Sequence, residues 1–144
     1  MNILIAEDEF ATADAIQSLV ERMGHATRWA CSGPEALISL EKTPCELMIL
    51  SAQLRDADIT YLLPSLRRHH PDLPVVALTS RNSPSLEQQI RKWGVIYCLT
   101  KPLNTEELGS IVSRVSIEGL TAERRWRQKG LSKSSGRQSA FADF

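Results

Sequence analysis

The segment Glu46-Leu47-Met48-Ile49-Leu50-Ser51-Ala52-Gln53 decides the fold of this chain. Its apolar residues run without alternation and stop at a short polar loop, a pattern typical of a central parallel strand that is covered on both faces. In open parallel sheets the ligand crevice lies just outside the carboxyl ends of the strands. This strand therefore delivers one side chain, Ser51, to the place where a functional site is expected.

Four more short apolar runs surround this strand, and helical patterns separate them. The strands are predicted at 2–6, 26–30, 73–78 and 95–99, and the helices at about 10–23, 33–42, 60–69, 84–93 and from 105 onward. Five strands that alternate with five helices predict an α/β fold, a doubly wound parallel sheet with helices on both faces.

Charge is distributed unevenly along the 144 residues, although the formal net charge is zero. Residues 1–120 carry 11 Lys/Arg against 15 Asp/Glu, a net of −4, whereas residues 121–144 carry 6 against 2, a net of +4. We therefore predict a body at 1–118 and a basic C-terminal extension at 119–144, partly helical and then disordered.

The overall composition is that of a soluble globular protein, with 42% hydrophobic and 24% charged residues. Three cysteines without metal-ligand spacing indicate a reducing compartment. No apolar run approaches the ~18 residues of a membrane span. A cytoplasmic protein with no membrane partner is expected.

Polar side chains follow four of the five strands, at the point where each strand ends. Because the carboxyl ends of parallel strands share one edge of a sheet, these side chains are expected to meet. They are Glu7 and Asp8 after the first strand, Ser51 after the third, Thr79 after the fourth, and Lys101 with Pro102 after the fifth.

This constellation resembles the receiver domain of two-component response regulators, CheY-like in type, over residues 1 to about 118. In that family paired acids bind Mg²⁺, an Asp at the end of the third strand accepts a phosphoryl group, and a Thr or Ser and a Lys before a cis-Pro contact that group. The resemblance implies a flavodoxin-like strand order, 2-1-3-4-5. It assigns the phosphoryl contacts to Thr79, Lys101 and Pro102, and a weak or vestigial metal site to Glu7, Asp8 and Gln53.

Several positions depart from the family pattern. Ser51 stands in the place of the acceptor Asp, and the loop after it has Arg55 and Ile59 where the family usually has Pro and Gly. Cys98 occupies the position of the aromatic residue that couples to the Thr in the family. Tyr97 beside it is expected to point to the opposite face, since side chains alternate along a strand.

The Ser at the acceptor position changes the chemistry that is available. Phosphoryl transfer needs an anionic oxygen beside a divalent cation, whereas a serine hydroxyl is neutral near pH 7 and would form a stable ester. Losing one carboxylate also weakens binding of Mg²⁺, so no cofactor is certain. Asp56 and Asp58 are rejected as acceptors, because using either would empty the strand of its apolar residues. Lys101 loses its anionic partner at position 51, which leaves Glu7 or Asp8 to take that role.

We therefore predict a pseudo-receiver that is not an enzyme and acts as a protein interaction module in bacterial signal transduction. By resemblance, its protein partner or a second copy is expected on the surface at 84–118, with Arg91, Lys92, Trp93 and Tyr97 as candidates. Two alternatives remain open: a regulator that is phosphorylated on another residue, and a nucleic-acid binder that uses the basic segment 121–137, which is not favoured.

Overall fold

The computed structural model of the chain describes residues 1–80 and 83–128, with 119–128 described by their backbone alone. The strands are β1 Asn2–Ala6, β2 Ala26–Ala30, β3 Leu47–Ser51, β4 Gln53–Leu54, β5 Ala57–Asp58, β6 Val75–Thr79 and β7 Val95–Thr100. The helices are α1 Phe10–Arg22, α2 Gly33–Lys42, α3 Ile59–His69, α4 Pro84–Arg91 and α5 Thr105–Gln128.

Five of the strands form one parallel sheet in the order β2-β1-β3-β6-β7. The two-stranded β4–β5 hairpin lies outside this sheet, so its order is the predicted 2-1-3-4-5 counted over the main strands. The doubly wound α/β fold predicted from the sequence is therefore confirmed. The central strand, β3, is buried along its whole length.

Each face of the sheet carries its own hydrophobic core, because successive side chains of a strand point to opposite faces. Met48 and Leu50 pack with residues of α2, α3 and α4 on one face, whereas Leu47 and Ile49 pack with residues of α1 and α5 on the other. Full burial of one such aliphatic side chain contributes roughly 1.5–3 kcal/mol. These two layers hold the strand ends in a fixed relation.

Polar side chains cap the start of four helices, among them Asn104, which accepts a hydrogen bond from the Glu107 amide in the first turn of α5. The Ser32 hydroxyl accepts a hydrogen bond from the Glu35 amide at the start of α2, and Ser83 accepts one from Leu86 at the start of α4. The Asp58 carboxylate accepts a hydrogen bond from the Thr60 amide at the start of α3. Such caps satisfy amide groups that the helix itself leaves unpaired.

The loop after Ser51 differs from the prediction of a polar connection. It contains the β4–β5 hairpin, with Leu54 paired to Ala57, and both Ala52 and Leu54 are buried against the core. The Ile59 amide donates to the Ala52 carbonyl, which closes the loop at 2.8 Å. A short hairpin leaves no periodic signal over two residues per strand, so sequence reasoning missed it.

The last helix is the longest element, with 24 residues. It runs without interruption past residue 118, so the domain boundary predicted at 118/119 does not coincide with a helix end. The predicted disorder of the tail concerns residues that lie outside the described ones. Within the described residues, no helix is both long enough and apolar enough to cross a membrane.

Candidate functional site

Lys101 brings the ends of three strands together at the carboxyl edge of the sheet. Its ammonium nitrogen lies 2.8 Å from Oε2 of Glu7 and 3.5 Å from the hydroxyl of Ser51. Glu7 follows β1, Ser51 ends β3 and Lys101 follows β7, so the parallel topology assembles the site. The Lys101–Pro102 peptide bond is cis, as the family resemblance implies.

Glu7 is a fully buried carboxylate, with 0% of its surface exposed. Its Oε1 accepts a hydrogen bond from the Glu9 amide at 3.1 Å, and its backbone carbonyl accepts one from the indole of Trp29 at 2.7 Å. Its Oε2 accepts no hydrogen bond from the described residues. Lys101 therefore compensates the charge of the carboxylate but leaves this oxygen without a hydrogen bond. An isolated buried carboxylate is costly, which makes this ion pair necessary.

Ser51 is the buried residue between these groups, and only 1% of its surface is exposed. Its hydroxyl donates to the Gln53 carbonyl at 3.3 Å, while the contact with Lys101 at 3.5 Å is long. None of its hydrogen-bond partners in the described structure is a base that would remove the hydroxyl proton. The Ser51 hydroxyl is therefore held by a backbone carbonyl and lies beside the Lys101 ammonium.

The residues assigned to Mg²⁺ do not fit a complete metal site. Asp8 is half-buried, the side chain of Gln53 is exposed, and the Gln53 carbonyl is engaged by the Ser51 hydroxyl. The remaining carboxylate, Glu7, already has an ammonium at 2.8 Å. Within residues 1–80 and 83–118 no three His, Cys, Asp or Glu side chains are grouped so that they could hold a metal ion.

Thr79 and Cys98 form the part of the site nearest the edge strand β7. The Thr79 hydroxyl is buried and donates to the Leu99 carbonyl at 3.4 Å. Burial raises the pKa of the Cys98 thiol above its ordinary value, and this outweighs the hydrogen bond with Thr79, which lowers it. Cys98 packs on the core of α2, α3 and α4, whereas Tyr97 packs on the core of α1 and α5. Tyr97 is therefore on the wrong face to replace the missing aromatic.

The candidate interaction residues lie in two places. Arg91, Lys92 and Trp93 are exposed at the end of α4, where Arg91 pairs with Glu87 at 2.8 Å. Tyr97 is engaged by α5 instead, because its hydroxyl accepts a hydrogen bond from Arg114 at 2.9 Å. The structure thus separates Tyr97 from the other three.

The two aspartates rejected as acceptors have local structural contacts. A carboxylate oxygen of Asp56 accepts a hydrogen bond from the Gly33 amide at 3.2 Å, which links the hairpin to α2. Asp58 caps α3 through Thr60. Both side chains are exposed.

Sequence reasoning missed two aromatic residues beside the site. Phe10 is the first residue of α1 and Trp29 lies on β2, an edge strand, and their rings meet edge to face with centroids 5.8 Å apart. The indole of Trp29 also holds the carbonyl of Glu7. The available signal was Trp29 itself. It is a large aromatic residue in a strand that also contains the polar residues Thr27 and Arg28, and the sequence predicts no core contact for it.

A five-stranded parallel sheet with acids, a hydroxyl and a lysine at its carboxyl edge defines the receiver class of signalling domain. The chain belongs to this family: the model of the response regulator receiver domain matches residues 3–113.

Solved receiver structures agree with this assignment. The Francisella response regulator 1452 receiver domain is 28% identical, with a TM-score of 0.72, 81% of this chain covered and 93% of that one. A two-component response regulator from Clostridium difficile gives a TM-score of 0.76 at 24% identity, with 80% and 94% covered, which supports the fold alone.

Among curated proteins, the chain is similar to the transcriptional regulatory protein QseB of Haemophilus influenzae, with 27% identity over 112 residues. This match covers 76% of the chain and 50% of QseB. The transcriptional regulatory protein ZraR of Escherichia coli is 23% identical, with 79% of the chain and 26% of ZraR covered. The chain thus spans half or less of the length of these relatives.

Proposed function

We propose that this receiver domain is not phosphorylated on an aspartate and acts in bacterial two-component signalling as a phosphorylation-independent protein interaction module. The observation that carries the proposal is the contact of Lys101 with Glu7 beside a neutral Ser51. In a complete site the lysine and the metal ion would both contact a carboxylate at position 51. Here the lysine is bound to the neighbouring acid instead.

The electrostatics of the site oppose acyl phosphate formation. Phosphoryl transfer requires an oxygen nucleophile that carries negative charge and a cation that bridges it to the incoming group. Ser51 supplies a neutral hydroxyl, which donates a hydrogen bond to the Gln53 carbonyl. With Glu7 neutralised by Lys101, the site also has little capacity to hold the cation.

Intact mass after incubation with acetyl phosphate and Mg²⁺ tests the proposal. We expect no adduct on the natural chain. The matched control is Ser51→Asp, which restores the missing carboxylate at the end of β3 and should gain one phosphoryl group that hydroxylamine removes.

A hydroxylamine-labile adduct of one phosphoryl group on the natural chain would overturn the proposal. A hydroxylamine-resistant adduct that is lost in Ser51→Ala would also overturn it, by showing that the serine itself is modified. An adduct that persists in Ser51→Ala would support the alternative that another residue accepts the group.

The partner surface at 84–118 remains part of this proposal. The exposed indole of Trp93, with 42% of its surface accessible, supports it, and so do the exposed cations Arg91 and Lys92. Aromatic and Arg side chains are enriched at the energetic centres of interfaces. Trp93→Ala should reduce binding to a partner recovered by affinity purification, whereas Ile38→Ala on α2, at a residue that is 50% exposed, should not.

A further inference from the structure

An exposed aromatic pair, Phe10 and Trp29, lies on the α1–β2 side of the molecule. Phe10 is 66% exposed and Trp29 is 40% exposed. Two exposed aromatic side chains that pack on each other offer a partner an apolar surface that is already formed. Aromatic anchors of this kind dominate the energy of protein interfaces. The indole N–H donates to the Glu7 carbonyl at 2.7 Å, which positions one ring of the pair.

Acidic residues precede Phe10 and follow it along α1. Residues 8–21 contain Asp8, Glu9, Asp14 and Glu21 and no Lys or Arg. Asp14 is exposed one helical turn after Phe10 and makes no ion pair among the described residues. An occupant of this surface must therefore combine an apolar group with positive charge.

The end of α5 and the residues after it have this chemistry. The sequence Arg124-Arg125-Trp126-Arg127 lies in the last turns of α5, and residues 121–144 have a net charge of +4. The body, with a net of −4 over residues 1–120, is its electrostatic complement. Complementary charge of this kind steers association and selects partners.

The helix carries this basic segment away from the aromatic pair of its own copy. All pairings in the main sheet are parallel, so α1 and α5, which each follow a strand end, run in the same direction. Gly109, near the start of α5, already lies beside Leu19 and Met23 at the far end of α1. From there to Arg124 the helix rises about 22 Å further, at 1.5 Å per residue.

We propose that the surface formed by Phe10, Asp14 and Trp29, the α1–β2 surface, binds the basic end of α5 from a second copy of the chain. Reciprocal exchange of the two helix ends closes a twofold dimer, whereas one-way exchange builds a longer chain. This contact does not depend on the chemistry of Ser51, so its failure would leave the proposed function intact.

Sedimentation equilibrium at low ionic strength tests the contact on the full chain. We expect a mass that rises with concentration from the 16.1 kDa monomer toward at least twice that value and falls as salt is added. Phe10→Ser should weaken association by at least tenfold. The control Tyr61→Ser, which removes an 82% exposed aromatic on α3, should leave it unchanged.

A charge exchange makes the test specific. Asp14→Lys alone, and Arg124→Glu with Arg125→Glu in another chain, should each weaken self-association by about tenfold, because like charges then face each other. A mixture of the two variant proteins should associate again, since each basic or acidic helix end then meets a surface of opposite charge.

Three outcomes would overturn the proposal. They are a natural chain that stays monomeric at all concentrations, a dimer that survives deletion of residues 119–144, and a dimer that is weakened by Trp93→Ser and not by Phe10→Ser. The last would place the interface at 84–118 instead.

Discussion

The ends of β1 and β3 lie side by side in the sheet and are equally buried, but only one of them is charged. Glu7 is 0% exposed and Ser51 is 1% exposed, and Ala6 pairs with Leu50 in the residues just before them. Lys101 is within reach of both and makes its close contact with the carboxylate. The partly exposed ammonium of Lys101 therefore pairs with the buried carboxylate of Glu7 and not with the neutral hydroxyl of Ser51.

The largest expected effect comes from removing the lysine. Lys101→Met leaves the buried carboxylate of Glu7 without its counter-charge and should lower the free energy of unfolding by about 2–3 kcal/mol, at the low end for a buried pair because the lysine side chain is 24% exposed. Urea unfolding measures this. Lys92→Met, on an exposed residue, is the matched control.

The double variant Glu7→Gln with Lys101→Met separates a pair energy from a packing effect. If the ion pair explains the loss, the double variant should recover at least half of it. A double variant as unstable as Lys101→Met would show that the lysine stem, and not its charge, stabilises the site.

A smaller effect is expected when the two strand ends are made alike. Ser51→Asp adds a third carboxylate and should strengthen Mg²⁺ binding by about tenfold, or about 1.4 kcal/mol. Titration calorimetry measures the affinity. The control is Ser51→Asn, because asparagine has the shape of aspartate without its charge. This variant should bind Mg²⁺ no better than the natural chain.

The smallest effect concerns the end of β6. Thr79→Val keeps the shape of the side chain and removes a hydroxyl that donates over a long 3.4 Å, so the loss of stability should be about 1 kcal/mol or less. Thr100→Val on the exposed neighbouring strand end is the control for strand propensity. A loss larger than that of Lys101→Met would show that the Thr79 hydroxyl stabilises the site more than the Glu7–Lys101 ion pair does.

The strands and helices of this molecule could be predicted from the sequence, because the strands are short apolar runs between strong turn and cap residues. The bounds of β1 and β2 agree with the prediction. The shared carboxyl edge of parallel strands then predicted that Glu7, Ser51, Thr79 and Lys101 lie close together, and the parallel sheet has this edge.

The details of pairing could not be predicted in the same way. Lys101 had two acids within reach in the sequence, and only the buried position of Glu7 shows which one it contacts. The β4–β5 hairpin and the Phe10–Trp29 contact depend on tertiary packing between residues that no local pattern connects. Periodicity describes which face a residue is on and not what it meets there.

The hydrogen bond from the indole of Trp29 to the carbonyl of Glu7 has an optical consequence. Indole emission responds to nearby charge and to solvent, and this ring touches the backbone of the buried acid while its other side faces water. The chain has three tryptophans, so replacing Trp93 and Trp126 with Phe would leave Trp29 as a single intrinsic fluorophore. Its emission would then follow two events without any added label: rearrangement of the Glu7–Lys101 pair and coverage of the α1–β2 surface.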